Sequence, residues 1–157
     1  MQLLIKQRVF SWSDSYDVFD ETGEPRYRVK AEVFSFGHQI HVYDARSGRE
    51  VGSIHQKLFT FLPTFEIVVD GRVMGTVRKQ FSLFSPRYDV DYMGWEAEGD
   101  FFGWDYRVVK GGMPIMGITK QWLSWGDTYV LEYRNPAHEM PGLLLVIAID
   151  AANCDHD

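Results

Sequence analysis

Five histidines, His38, His41, His55, His138 and His156, are the residues best suited to acid–base or metal chemistry, and they lie scattered through a chain of 157 residues. None stands in a helical HExxH pattern or in a Cys/His spacing that frames zinc, so they read as structural or solvated side chains. No Gly-x-Ser-x-Gly elbow presents a nucleophilic serine, and no glycine-rich loop of the Walker or dinucleotide type is present to cradle phosphates. Glu96 and Glu98 share one face of a predicted strand, as a general acid and base would, but solvated polar-face positions explain them better. The terminal Cys154-Asp155-His156-Asp157 holds three kinds of metal ligand at a chain end, where no rigid coordination geometry is expected. The expectation is a non-enzyme with no catalytic residue, cofactor or metal.

A different combination of residue types recurs. The bends Phe59-Thr60-Phe61-Leu62-Pro63, Phe81-Ser82-Leu83-Phe84 and Trp122-Leu123-Ser124-Trp125 are rich in aromatics, and each follows a base: Lys57, then Arg78 and Lys79, then Lys120. Rings beside cations suit a membrane interface, the ring entering the headgroup layer while the cation meets phosphate. Lys57, Arg78, Lys79, Lys120, Trp122 and Trp125 are therefore the candidate lipid-contact residues. The same rings could instead cap a hydrophobic core, and the sequence leaves both readings open.

Composition narrows the setting. The chain is 45% apolar and 15% aromatic with a net charge of −6, which predicts one globular domain over residues 1–157, with 153–157 as a flexible tail. An acidic balance argues against nucleic-acid binding, which needs clustered Lys and Arg. The single cysteine, Cys154, suits a reducing cytoplasm. Lys6 and Arg8 interrupt the apolar start, which reads as a first strand rather than a signal peptide, and the uncharged run 140–149 is too short to span a bilayer.

The elements that must position the bends follow from a repeat. Gly23, Gly48, Gly71 and Gly112 sit in turn-like clusters spaced by 25, 23 and 41 residues, and each precedes a similar pattern. In register, Val29, Ile54, Val77 and Ile118 correspond, as do Val33, Leu58, Phe81 and Trp122, then Phe36, Phe61, Phe84 and Trp125. Return strands carry Ile40 and Val42, Phe65 and Ile67, Tyr88 and Val90, and Tyr129 and Leu131, with Pro63 and Pro86 in matched bends. Period-two alternation in Tyr27, Val29, Ala31 and Val33 gives each strand one apolar face. A further hairpin spans Trp95–Val108 around Phe101-Phe102-Gly103. Such a meander favours closure into an antiparallel barrel, which removes exposed edges. Gln56, Lys79 and Lys120 share the parity of apolar neighbours, and a β-bulge at each is the preferred explanation over a position at the barrel end.

After Asn135-Pro136 the alternation stops, and Leu143–Ile149 form a continuous apolar run. Pro141 and the alanines predict a helix over about 139–152, and a helix apolar on all sides needs an enclosing shell, which only the repeated sheet offers. The fold class is thus mainly β: a closed antiparallel barrel around a central hydrophobic C-terminal helix.

Several segments together, Leu4-Ile5-Lys6-Gln7-Arg8-Val9-Phe10-Ser11, Ile54-His55-Gln56-Lys57-Leu58, Val77-Arg78-Lys79-Gln80-Phe81, Ile118-Thr119-Lys120-Gln121-Trp122 and the Leu-rich end, carry a resemblance to a known family. In their order and spacing the chain resembles the LURP-one-related family, bacterial type, within the tubby C-terminal-like superfamily that also holds the phospholipid scramblases. The resemblance implies a barrel of about twelve strands around a central helix. It also implies a cytoplasmic protein of uncharacterised role, to which the aromatic–basic bends add the expectation of a peripheral-membrane position. Tubby binds phosphoinositides through basic side chains, but none of that site's residues is carried over here. The expected function is a non-enzymatic binding or scaffold domain recognising phospholipid headgroups or a protein partner. The alternative is a lipocalin-type carrier of a small apolar ligand, which would need an empty lumen.

Overall fold

Among the described residues, apolar–polar alternation produces twelve strands, and the unbroken apolar run after them produces a long helix. The computed structural model describes residues 1–6, 15–34, 37–123 and 126–154. The strands are β1 (Gln2–Lys6), β2 (Ser15–Asp20), β3 (Pro25–Phe34), β4 (Gly37–Asp44), β5 (Glu50–Gln56) and β6 (Thr64–Val69). They continue as β7 (Arg72–Gln80), β8 (Arg87–Tyr92), β9 (Trp95–Asp100), β10 (Asp105–Lys110), β11 (Met113–Leu123) and β12 (Gly126–Tyr133). A 3-10 turn, Pro136–His138, leads into α1 (Glu139–Cys154).

All twelve strands form one antiparallel sheet in the order β8-β7-β6-β5-β4-β3-β2-β1-β12-β11-β10-β9. Pairing of β1 with β12 closes the chain's two ends together, Leu3 opposite Leu131 and Ile5 opposite Tyr129. The barrel is nearly closed rather than fully closed. Strands β8 and β9 are the sheet's two margins, joined through the turn at Met93-Gly94 and not by a ladder.

The repeat has a physical basis. Gly23, Gly48, Gly71 and Gly112 all adopt positive φ, between +73° and +88°, a conformation that glycine takes without steric cost. Their turns lie at one end of the barrel, where Asp20 Oδ1 accepts from Thr22 N and Glu24 N, and Asp44 Oδ1 from Arg46 N and Ser47 N. The matched residues Val29, Ile54, Val77 and Ile118 all face the lumen and are buried, as are Ile40, Val42, Phe65 and Ile67 on the return strands.

Helix α1 fills that lumen. Leu143, Leu144, Leu145, Ile147 and Ile149 are buried on every side, and burying each contributes roughly 1.5–3 kcal/mol before entropy is counted. Gly52 on β5 permits the approach, because a β-carbon there would meet Leu144 Cδ1 at 2.6 Å. Glu139 anchors the helix start: its carboxylate accepts from Tyr27 and Tyr133 hydroxyls at 2.7 and 2.8 Å and pairs with Arg26 at 2.9 Å. At the far end Tyr88 Oη donates to Asn153 Oδ1 at 2.7 Å. Asn153 and Cys154 are thus the last helical residues, and 155–157 lie outside the described residues.

The expected bulges at Gln56, Lys79 and Lys120 are not there. Gln56 pairs with Phe65, Lys79 with Tyr88 and Lys120 with Tyr129 in uninterrupted register. These side chains share the inward face of their buried partners, with Gln56 on the last rung of its ladder, Lys79 on the next to last and Lys120 fourth from the last, all toward the bend end. There water reaches the barrel mouth and a long polar chain can extend its head into it. The register shifts lie at Val18/Phe19, Val42/Tyr43, Ile67/Val68 and Val108/Val109, each beside one of the glycine turns at the other end.

Candidate functional site

Because successive strands run antiparallel, connections alternate between the two ends of the barrel. The glycine turns share one end with the helix start; the longer bends share the other with the helix terminus. In the bend after β5, Phe61 is 97% exposed and Phe59 fully so; after β7, Phe81 is 78% and Phe84 97% exposed, with Leu83 beside them; at the end of β11, Trp122 is 80% exposed. Rings this exposed are not capping the core, so for these residues the core-capping alternative is removed.

Capping falls to a bend that sequence reasoning had treated only as a turn. Between β9 and β10, Phe101 and Trp104 turn inward. Phe101 stacks edge-on to Tyr88 at 4.9 Å and lies 4.9 Å from Tyr106, while Trp104 covers Tyr129 at 3.9 Å. Charge divides along the same line. Segments 57–63, 78–87 and 118–123 hold Lys57, Arg78, Lys79, Arg87 and Lys120 and no acid, whereas the capping bend is flanked by Asp100 and Asp105.

Of the six candidate contact residues, Lys57, Arg78, Lys79, Lys120 and Trp122 converge at this end, and Trp125 lies outside the described residues. Arg78 reaches down the outer wall to Asp89 at 2.8 Å, an ion pair that Gln80 joins by a short hydrogen bond to the other carboxylate oxygen. The bend 57–62 overhangs this wall and encloses a cleft of about 640 Å³ between Lys57, Phe61, Thr76, Arg78, Asp89 and Asp91.

The family model for LURP-one-related proteins matches residues 1–150. The chain belongs to the LURP-one-related family. It is 32% identical over 132 residues to the uncharacterised protein YxjI of Bacillus subtilis (strain 168), covering 84% of this chain and 81% of that protein. An X-ray structure of an Arabidopsis thaliana protein matches with a TM-score of 0.63 over 97% of this chain and 90% of the other, at 15% identity. That likeness concerns the fold, a tubby-like barrel with one C-terminal helix.

Two further features of this LURP-one-related chain escaped sequence reasoning. Asp150 is buried inside the barrel on α1, and burial raises its carboxyl from 3.8 to about 7. Its place after Ile149 reads as an ordinary polar helix end, so nothing in the sequence marks it. On the outer wall, strand register brings His41 Nδ1 within 2.6 Å of Glu50, and Ser53 Oγ within 2.9 Å of His55 Nε2. Burial first, then the neighbouring His41, lowers the His55 pKa. The Ser53–His55 distance suits a nucleophile and base, but β5 is paired on both sides through Ser53, so its strand amides are engaged in ladders rather than converging on an oxyanion. Among the described residues no group of three or more His, Cys, Asp or Glu is placed to hold a metal ion, and no helix is long and apolar enough to cross a membrane.

With α1 occupying the lumen, the space a lipocalin-type ligand would use is filled by Leu143–Ile149. The carrier expectation fails for that reason.

Proposed function

We propose that this chain is a non-enzymatic binding domain that docks peripherally, on the cytoplasmic side, onto an anionic phospholipid surface with its bend end down. The observation that carries the reading is the convergence, at one end of a rigid barrel, of Phe59, Phe61, Phe81, Phe84 and Trp122 in solvent with five basic residues among them. Aromatic rings at a headgroup layer and cations against lipid phosphate are the two interactions a reversible interfacial site combines.

The overall charge of −6 does not oppose this, because it is unevenly placed. Asp20, Glu21, Glu24, Asp44, Glu50 and Asp70 belong to the opposite end, while at the bend end the five bases outnumber Asp100, Asp105 and Asp127, and salt screens surface charges farther apart than roughly 8–10 Å. The test is sedimentation with vesicles containing anionic lipid at low and at physiological salt. Binding that strengthens at low salt and weakens when Phe61 and Trp122 are changed to Ser supports the reading. No binding at low salt, where the attraction is strongest, overturns it.

A further inference from the structure

The cleft beneath the 57–62 bend differs from the basic end around it, for its lining balances two bases, Lys57 and Arg78, against two acids, Asp89 and Asp91. Arg78 and Asp89 already neutralise each other at 2.8 Å, which leaves Lys57 on the overhanging bend and Asp91 on the wall as the cleft's opposed charges. Asp91 stands opposite Thr76 on the outward face of the β7–β8 ladder, and the exposed Phe61 forms the lip on the membrane side.

From this arrangement we infer that the cleft binds the headgroup of a phosphatidylethanolamine, a deeper claim that rests on the membrane-docking reading. The headgroup's phosphate meets Lys57 and its primary ammonium meets Asp91, while the acyl chains leave past Phe61 and Phe59 into the bilayer. Four lines of chemistry select this ligand. A polyanionic headgroup would place extra negative charge against Asp91, and like charges in a partly enclosed site repel. A lining with no net charge matches a headgroup with none. A primary ammonium donates charge-assisted hydrogen bonds to a carboxylate, whereas the quaternary ammonium of choline donates none and is held by aromatic cages. The volume of about 640 Å³ falls within the range of ligand-sized clefts, roughly 300–1,000 Å³.

The experiment measures binding to two vesicle sets with the same anionic fraction, one completed with phosphatidylethanolamine and one with phosphatidylcholine, for the wild type and Asp91→Asn. Wild type should prefer the ethanolamine set by about tenfold, the effect of one charge-assisted hydrogen bond. Asp91→Asn should erase that preference while binding the choline set as well as or better than wild type. Removing an acid can only strengthen generic attraction to an anionic surface, so the two effects have opposite signs. Titration with soluble glycerophosphoethanolamine and glycerophosphocholine, followed by amide chemical shifts at 57–62 and 76–91, separates headgroup recognition from changes in bilayer packing. Shifts with the ethanolamine compound alone support the cleft. Equal affinity for both vesicle sets, or an unchanged preference in Asp91→Asn, overturns the inference but not the docking reading, whereas no binding to either set overturns both.

Discussion

The two ends of the barrel turn one strand into the next with opposite materials. At the helix-start end, short turns use positive-φ glycines and aspartate-capped amides, and the adjoining strands carry a bulge beside each turn. At the other end the bends after β5 and β7 are longer, their aromatics stand in solvent, and the ladders run without register shift to the last rung. Turn chemistry and twist explain the glycines and aspartates of the first end, whereas nothing in folding requires Phe59, Phe61 or Phe84 to be aromatic. Large exposed aromatics gathered at one end with no structural use are a usual mark of an interaction site.

The comparison depends on a shell that holds the ends apart, so the largest expected effect is its loss. Ending the chain after Asn135 removes α1 and should abolish cooperative thermal unfolding, because the inward faces of twelve strands then enclose nothing. A cooperative transition in that truncation would show that the coat stands without its filling.

Next come the two polar residues that α1 places near opposite ends. Asp150, under the aromatic cap, has a folded pKa near 7 against 3.8 for the free side chain. A raised carboxyl pKa means stability that is fully present below pH 3.8 and is lost as pH rises through 7. The shift corresponds to roughly 4 kcal/mol. Asp150→Asn should remove this slope, so that its denaturant midpoint exceeds wild type at pH 8 and converges with it near pH 4. At the other end, Glu139→Ala strips the partner from Tyr27, Tyr133 and Arg26 and should cost about 2–3 kcal/mol in urea unfolding at pH 7, discounted because Arg26 is partly solvated.

Smaller effects separate the surfaces. Trp122→Ser should weaken anionic-vesicle binding by about tenfold with thermal stability unchanged within about 0.5 kcal/mol. The matching change at the glycine-turn end, Met74→Ser or Met113→Ser, removes comparably exposed apolar surface and should leave vesicle binding as it was. Equal losses at both ends would dissolve the distinction between them.

Much of this was legible in the sequence, for reasons that also mark where reading stops. Period-two alternation and the spacing of Gly23, Gly48, Gly71 and Gly112 identify which residues face inward, because parity and positive φ are local properties. Parity does not report height along the barrel axis, so parity alone suggests bulges at Gln56, Lys79 and Lys120 where the ladders run in unbroken register toward the bend end. Alternation ceases inside a bend, so the outward Phe61 and the inward Phe101 could not be told apart from their neighbours. The contact between His41, Glu50, Ser53 and His55 depends on the register of β4 against β5, and the burial of Asp150 depends on where the helix lies.

That helix follows the sheet in the chain, and this order matters to how the protein is made. Translation runs from the N-terminus, so all the strands emerge from the ribosome before the segment that fills them. Until Leu143–Ile149 are synthesised, Val29, Ile54, Val77 and Ile118 have no partner in the lumen, and the last ladder, between β1 and β12, joins residues as far apart as Gln2 and Glu132. The nascent chain is therefore a sticky ribbon that needs chaperone cover late into its synthesis. A ribosome-stalled chain ending at Tyr133 should be protease-sensitive throughout, whereas the released protein should be resistant.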